Sequence, residues 1–195
     1  MSADSAQAWV HWWCDAWGHA HDSWRSRFAE HTGLALVECE RLARQRPEVF
    51  MRFAGMDTPQ PPEPHPDLLH WLGLPPEQRH LALALVEQIC SPSRPSRGYT
   101  DEHKPWCRSL AKALRPGLWL DGQEPEAEVL LGGWLGVRYW HRLRLELPVP
   151  AQAWVPGPHS ALTAAAPGKL KTLWPAVLWR VAANQPEHAE VSDAG

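Results

Sequence analysis

Eleven histidines make metal binding and acid–base catalysis the first chemistry to consider in this 195-residue chain. His11, His19 and His21 fall in one predicted helix, and only His19 and His21 are close together in sequence. A spacing of two residues places those two side chains on different faces of a helix. The chain has no HExxH motif and no cysteine pair beside a histidine pair, which are the usual zinc-binding patterns. We therefore expect no metal site and no bound cofactor.

Other catalytic patterns are also absent from the sequence. It contains no GxGxxG loop, no phosphate-binding GxxxxGK loop and no GxSxG nucleophile turn. Carboxylate pairs such as Glu38 and Glu40 have no predicted cleft to hold them, so they are interpreted as ordinary surface charges. We predict that the protein is not an enzyme.

The cysteines indicate a reducing environment. They are widely spaced and form no CxxC pair, so we expect buried thiols rather than a disulfide framework. The four residues are Cys14, Cys39, Cys90 and Cys107.

Composition excludes several classes of function. The formal charge is 19 − 22 = −3, which gives no strong electrostatic attraction to nucleic acid or to an anionic membrane. No apolar run approaches the roughly 20 residues that a membrane-spanning helix needs. Asp4 and the near absence of basic residues before Trp9 argue against a secretory signal peptide. We expect a cytosolic protein.

Tryptophan is the most unusual feature, with 13 indoles against only 3 phenylalanines and 2 tyrosines. Residues 4–30 predict one amphipathic helix in which Trp9, Trp13 and Trp17 recur every four residues, with Trp12 on an adjacent face. Tryptophan is enriched both in cores and at protein interfaces. The stripe therefore either packs into the core or anchors a partner protein, and the sequence leaves both open.

The 20 prolines divide the chain into short elements. We predict a mainly α protein, a compact bundle of short proline-separated helices with one or two short β-strands. The expected organisation has four parts. These are an N-terminal helical unit at 1–55, a proline-rich linker at 56–66, a main helical domain at 67–185 and a flexible tail at 186–195.

The two short strands are predicted near 118–120 and 141–147. In the second segment the hydrophobic period changes to two, as in a half-buried strand with a charged outer face. One face carries Leu143, Leu145 and Leu147, and the other carries Arg142, Arg144 and Glu146. For the basic residues the alternative is a solvated edge that binds nothing. The predicted partner-binding residues are Trp9, Trp12, Trp13, Arg138, Arg142 and Arg144.

Three later segments, from about Pro64 onward, carry a likeness to a known family. They are LALALVEQIC at 81–90, WLGVRYWHRLRLELPVP at 134–150 and PGKLKTLWPAVLWRV at 167–181. With these segments the chain resembles the YscK/SctK family of small cytosolic accessory proteins of bacterial type III secretion systems, including the Hrp-type members of plant pathogens.

The resemblance implies a non-enzymatic adaptor in the cytosolic sorting platform. Such a protein links the pod protein, SctQ-like, to the cytoplasmic domain of the inner-membrane ring protein, SctD-like. It would lie in the cytoplasm, peripheral to the inner membrane through the secretion apparatus, with no direct membrane insertion and no nucleic-acid partner. Apolar anchors and proline-stiffened joints suit that role.

Two alternatives remain at this stage. One is a small-molecule-binding helical regulator with a pocket lined by Trp9, Trp13 and Trp17. The other is a chaperone for secreted substrates, which is a variant of the adaptor hypothesis.

Overall fold

The computed structural model describes residues 3–56, 60–93, 101–122, 124–149 and 162–183. Within these ranges the chain is mainly helical, which confirms the predicted fold class at that level. The predicted tail at 186–195 lies outside the described residues, as do residues 57–59 of the predicted linker.

Ten α-helices and three short 3₁₀ turns make up the described structure. The first five helices are α1 (Ala3–Cys14), α2 (Asp22–Thr32), α3 (Leu36–Gln45), α4 (Pro47–Phe53) and α5 (Pro66–Gly73). The others are α6 (Pro76–Cys90), α7 (Lys104–Leu114), α8 (Ala127–Leu135), α9 (Val137–Leu143) and α10 (Ala166–Ala183). The 3₁₀ turns are Asp101–His103, Pro116–Leu118 and Arg144–Glu146.

The chain forms two compact units, each built from two separate stretches of sequence. Unit 1 comprises Met1–Leu69 and Leu131–Ser160, and unit 2 comprises His70–Leu130 and Ala161–Gly195. The sequence instead predicts continuous units at 1–55 and 67–185.

The single helix predicted over 4–30 is two helices, α1 and α2. Local side-chain hydrogen bonds interrupt it, because Asp15 Oδ1 accepts the N–H of Gly18 and His21 Nδ1 accepts the N–H of Ser23. The second bond caps the N-terminus of α2. Short polar side chains that bond to nearby backbone compete with helix continuation.

Both predicted strands are wrong. Residues 116–118 form a 3₁₀ turn that leads into 119–120, and 141–147 contains the end of α9 followed by the turn Arg144–Glu146. The period of two does not correspond to an inner and an outer face here. Leu143 and Leu145 are fully buried, and Arg142 and Arg144 are buried as well.

The core of unit 1 is largely aromatic. Trp17, Phe28 and Phe50 meet edge to face with ring centroids 5.1–5.9 Å apart, a favoured geometry for aromatic pairs. Part of the predicted linker packs into the same unit. Its Pro62 carbonyl accepts the indole N–H of Trp9 at 2.8 Å, and its Glu63 carbonyl accepts the Tyr139 hydroxyl at 3.0 Å.

Unit 2 is centred on α6, which packs against α7 and α10. Its apolar side chains are nearly all buried, as expected for a helix that is apolar on most of its faces. Trp71 and Trp174 pack edge to face at 5.9 Å. None of the helices within the described ranges has the length and apolar character that a bilayer crossing requires.

Candidate functional site

The three tryptophans predicted to bind a partner lie in the core of unit 1. Trp9, Trp12 and Trp13 are all buried, and Trp9 contacts the other two rings at 5.3 and 5.9 Å. The indole N–H of Trp12 donates to the Glu146 carboxylate. The three rings are packed, and the indole N–H groups of Trp9 and Trp12 are bonded inside the unit. The three side chains therefore offer no exposed anchor.

The pocket predicted between Trp9, Trp13 and Trp17 has no support in the packing. Trp9 and Trp13 contact Tyr139 at 6.2 and 6.5 Å. Trp17 contacts a different group of rings, those of Phe28 and Phe50. The three indoles therefore belong to two ring clusters.

Arg142 is fully buried, with 0% of its surface exposed. Its guanidinium donates to the backbone carbonyls of Trp12, Trp13 and Asp15, the last of these at 3.1 Å, and its Cζ lies 4.5 Å from the Trp12 ring centroid. These carbonyls lie at the C-terminal end of α1, where helix carbonyls lack intrahelical partners and the helix dipole favours a cation. Burial lowers the pKa of Arg142 to about 10, so the side chain remains charged at neutral pH.

Arg144 makes a similar connection to α4. It is 8% exposed, donates to the carbonyl of Ala54 just after α4, and lies over the Trp24 ring at 5.5 Å. Burial lowers its pKa. Arg138 alone of the three predicted arginines is exposed. The predicted basic outer face is thus wrong for Arg142 and Arg144, because each guanidinium turns inward to the end of a helix.

The exposed apolar side chains lie elsewhere than the predicted partner-binding residues. Of the twelve tryptophans in the described ranges, nine are buried, two are half-buried, and only Trp179 on α10 is exposed, at 68%. In unit 1, Leu36 and Val37 at the start of α3 are 54% and 63% exposed, and Leu34 precedes them at 38%.

A solvent-open groove lies beside Leu36 and Val37. Its volume is about 720 Å³, and it is also lined by residues from the α1–α2 connection and from the first turns of α2. Ion pairs flank it, Arg25 with Asp22 at 3.2 Å and Arg44 with Glu40 at 2.7 Å. Most of the groove lining is polar or charged, and Leu36 and Val37 are its exposed apolar residues.

Among the described residues, one group of side chains is arranged so that it could hold a metal ion. It consists of His11, Asp15 and His19, whose potential ligand atoms all lie within 4.8 Å of one another. The two imidazole rings are 5.6 Å apart. None of the three residues is fully buried, so an ion could reach them from solvent.

The sequence prediction missed this cluster and Trp179. The signal for the cluster was present as HxxxDxxxH, a spacing of four residues twice over, which places three side chains on one helical face. For Trp179 the signal was its spacing of four and eight residues from Pro175 and Lys171, which are also exposed.

Comparisons with protein-family models, with curated proteins and with solved structures found no match to this chain.

Proposed function

We propose that the chain is a non-enzymatic adaptor of the bacterial type III secretion sorting platform, linking an SctQ-like pod protein to an SctD-like ring protein. The proposal starts from the likeness of residues 81–90, 134–150 and 167–181 to the YscK/SctK family. The structural observation that carries it is the exposed indole of Trp179, which lies within the third of these segments.

An exposed tryptophan is unusual in a chain that buries most of its others. Tryptophan is the residue most enriched among interface hot spots, since its large ring is worth most when a partner removes it from water. Lys171, Thr172 and Pro175 are exposed along the same helix as Trp179. This gives α10 an aromatic anchor with polar and basic neighbours, as in the core and rim of an interface.

Unit 1 offers a second surface of a similar kind. Leu34, Leu36 and Val37 are exposed apolar residues beside the groove rimmed by ion pairs. An adaptor needs at least two contact surfaces, and each unit of this chain supplies one. The surface on α3 replaces the buried Arg142 and Arg144 as a candidate contact of unit 1, and the exposed Arg138 remains one.

The test is direct binding of the purified chain to the SctQ-like protein and to the cytoplasmic domain of the SctD-like protein of the same secretion system. We expect binding to both in isothermal titration calorimetry. Trp179→Ala should weaken one of the two complexes by about 2 kcal/mol or more, the scale of a hot-spot residue. The melting temperature should stay near that of the parent chain, because the ring is mostly in solvent.

Leu118→Ala is the matched control. Leu118 is another large exposed apolar residue of unit 2, at 75%. Its loss should change both affinities by less than about 0.5 kcal/mol, as for ordinary surface positions. Failure of the parent chain to bind either protein would refute the adaptor. Binding to a secreted substrate instead would place the chain with the secretion chaperones.

A further inference from the structure

Three potential metal ligands share one face at the end of α1. The Asp15 N–H bonds to the His11 carbonyl at 2.9 Å, and the His19 N–H bonds to the Asp15 carbonyl at 3.4 Å. These two bonds continue past Cys14, although α1 itself ends there. The potential ligand atoms of His11, Asp15 and His19 all lie within 4.8 Å of one another.

The carboxylate between the two imidazoles is held in place. Asp15 Oδ1 accepts the backbone N–H of Gly18 at 2.9 Å. A Cβ at Gly18 would lie 2.1 Å from Asp15 Oδ2, so only glycine leaves room for the carboxylate in this position. One carboxylate oxygen is therefore fixed by the backbone, and the other lies close to Gly18.

Nearby charges partly offset one another. Burial and, after it, the Arg142 guanidinium lower the pKa of His19. The same guanidinium opposes a cation at this place. The Glu146 carboxylate acts in the opposite direction on His19, as does Asp15. The hydrogen bonds of Arg142 go to the backbone carbonyls of Trp12, Trp13 and Asp15.

We propose that His11, Asp15 and His19 bind one divalent transition-metal ion of the zinc type, with water completing its coordination. Two imidazoles and one carboxylate suit Zn²⁺, Co²⁺ or Ni²⁺, whereas Ca²⁺ and Mg²⁺ prefer more oxygen ligands. Donors bound to zinc at about 2.1 Å in a tetrahedron lie about 3.4 Å apart. The potential ligand atoms now lie within 4.8 Å of one another, so they would move closer together on binding.

The ion would join the last turn of α1 to the turn that precedes α2. Because His11 lies in α1 and His19 lies beyond its end, the metal would fix the α1–α2 connection. That connection also lines the groove beside α3, through Asp15 and Gly18. Metal binding at this site is therefore expected to stabilise unit 1.

The experiment titrates ZnCl₂ into the full chain, free of affinity tags and stripped with EDTA, in a calorimeter. CoCl₂ titrated in parallel reports its ligands by visible absorption. We expect one high-affinity equivalent and a rise in melting temperature, since the ion binds the folded state. His11→Ala, His19→Ala and Asp15→Asn should each weaken zinc binding by at least about tenfold, a loss seen even for residues that only support metal ligands.

His80→Ala is the control, because His80 is an exposed histidine of α6 in unit 2 and lies outside the cluster. It should leave zinc affinity unchanged. Circular dichroism of each variant without metal establishes that the substitution has not unfolded the chain. If an alanine variant has unfolded, His11→Gln or His19→Gln replaces it. Absence of zinc binding, or equal binding by the parent and both histidine variants, would overturn the proposal.

Discussion

The two units satisfy their buried polar groups in different ways. In unit 1 the guanidiniums of Arg142 and Arg144 reach the carbonyl ends of α1 and α4, across 90 to 130 residues of sequence. Indoles donate to backbone carbonyls in both units, as Trp9 does to Pro62 in unit 1, but none of the described arginines of unit 2 is fully buried. Trp174 donates to Leu130 at 3.2 Å and Trp119 donates to Leu114 at 3.1 Å.

The difference has an energetic consequence. A buried guanidinium loses its hydration, and its hydrogen bonds and nearby rings must compensate for that loss. An indole brings one neutral donor and a large apolar surface, so its burial is favourable before its N–H finds a partner. Unit 1 should therefore depend on a few charged side chains, whereas unit 2 should depend on many apolar contacts of moderate strength.

Arg142→Ala tests this dependence and should have the largest effect. It removes charge-assisted bonds to three carbonyls at the end of α1, each worth about 1.5–3 kcal/mol before the recovered desolvation is subtracted. We expect the free energy of unfolding to fall by about 3 kcal/mol in urea denaturation. Arg138→Ala removes an exposed arginine of the same helix and should change it by less than about 0.5 kcal/mol.

Arg142→Met separates packing from hydrogen bonding, because it keeps the apolar stem of the side chain and removes the donors. A loss close to that of Arg142→Ala is expected if the bonds to α1 matter most. If Arg142→Ala and Arg142→Met both had the same free energy of unfolding as Arg138→Ala, the guanidinium would have no net role in holding α1.

Trp174→Phe is the corresponding change in unit 2 and should cost less. The substitution removes one neutral bond to Leu130 and part of a fully buried ring, and it retains most of the apolar contact. We expect a loss of about 2 kcal/mol in the same assay, from the bond and the small cavity together. A loss larger than that of Arg142→Ala would reverse the comparison between the units.

The thiols give the smallest expected effect. Cys14 at the end of α1 is exposed, whereas Cys90 at the end of α6 is buried, and burial raises the pKa of Cys90 from 9.0 to about 12. The unfolded thiol ionises near 9.0, so this contribution to stability is complete below that pH and is lost as pH rises toward 12. Between pH 8 and about pH 10, the parent chain should lose about 1 kcal/mol more than Cys90→Ala.

Thiol labelling at pH 8 supplies an independent measurement. Cys14 should react rapidly with Ellman's reagent in the native chain, and Cys14→Ser should abolish that rapid phase. Cys39, Cys90 and Cys107 should react only on unfolding, because all three are buried. Rapid modification of Cys90 in the native chain would show that the end of α6 opens more readily than its packing implies.

Local signals predicted much of the helical structure. Pro47 and Pro76 each stand at the first position of a helix, where proline is favoured because its missing N–H would have no partner there. Pro66, predicted as the last residue of the linker, is instead the first residue of α5. The core reading of the tryptophan stripe matches the burial of Trp9, Trp12 and Trp13, although periodicity alone could not distinguish a core from an interface.

The fold of segment 141–147 could not be predicted from local signals. Alternating leucines and arginines indicate a half-buried strand only if the arginines face water. Whether they do depends on hydrogen-bond acceptors elsewhere in the chain. Here the acceptors are carbonyls of Trp12, Trp13 and Ala54, far away in sequence. The histidine–aspartate cluster differs, because it lies within nine consecutive residues and its spacing was readable in the sequence.

By itself the sequence determined that the chain is mainly helical and where several helices begin, since those features depend on backbone preferences of neighbouring residues. Only the tertiary structure decided which charged side chains are buried, which indole remains in solvent and how 141–147 is folded. The physical reason is that a helix end leaves carbonyls without partners, and the donor that reaches them can come from any part of the chain.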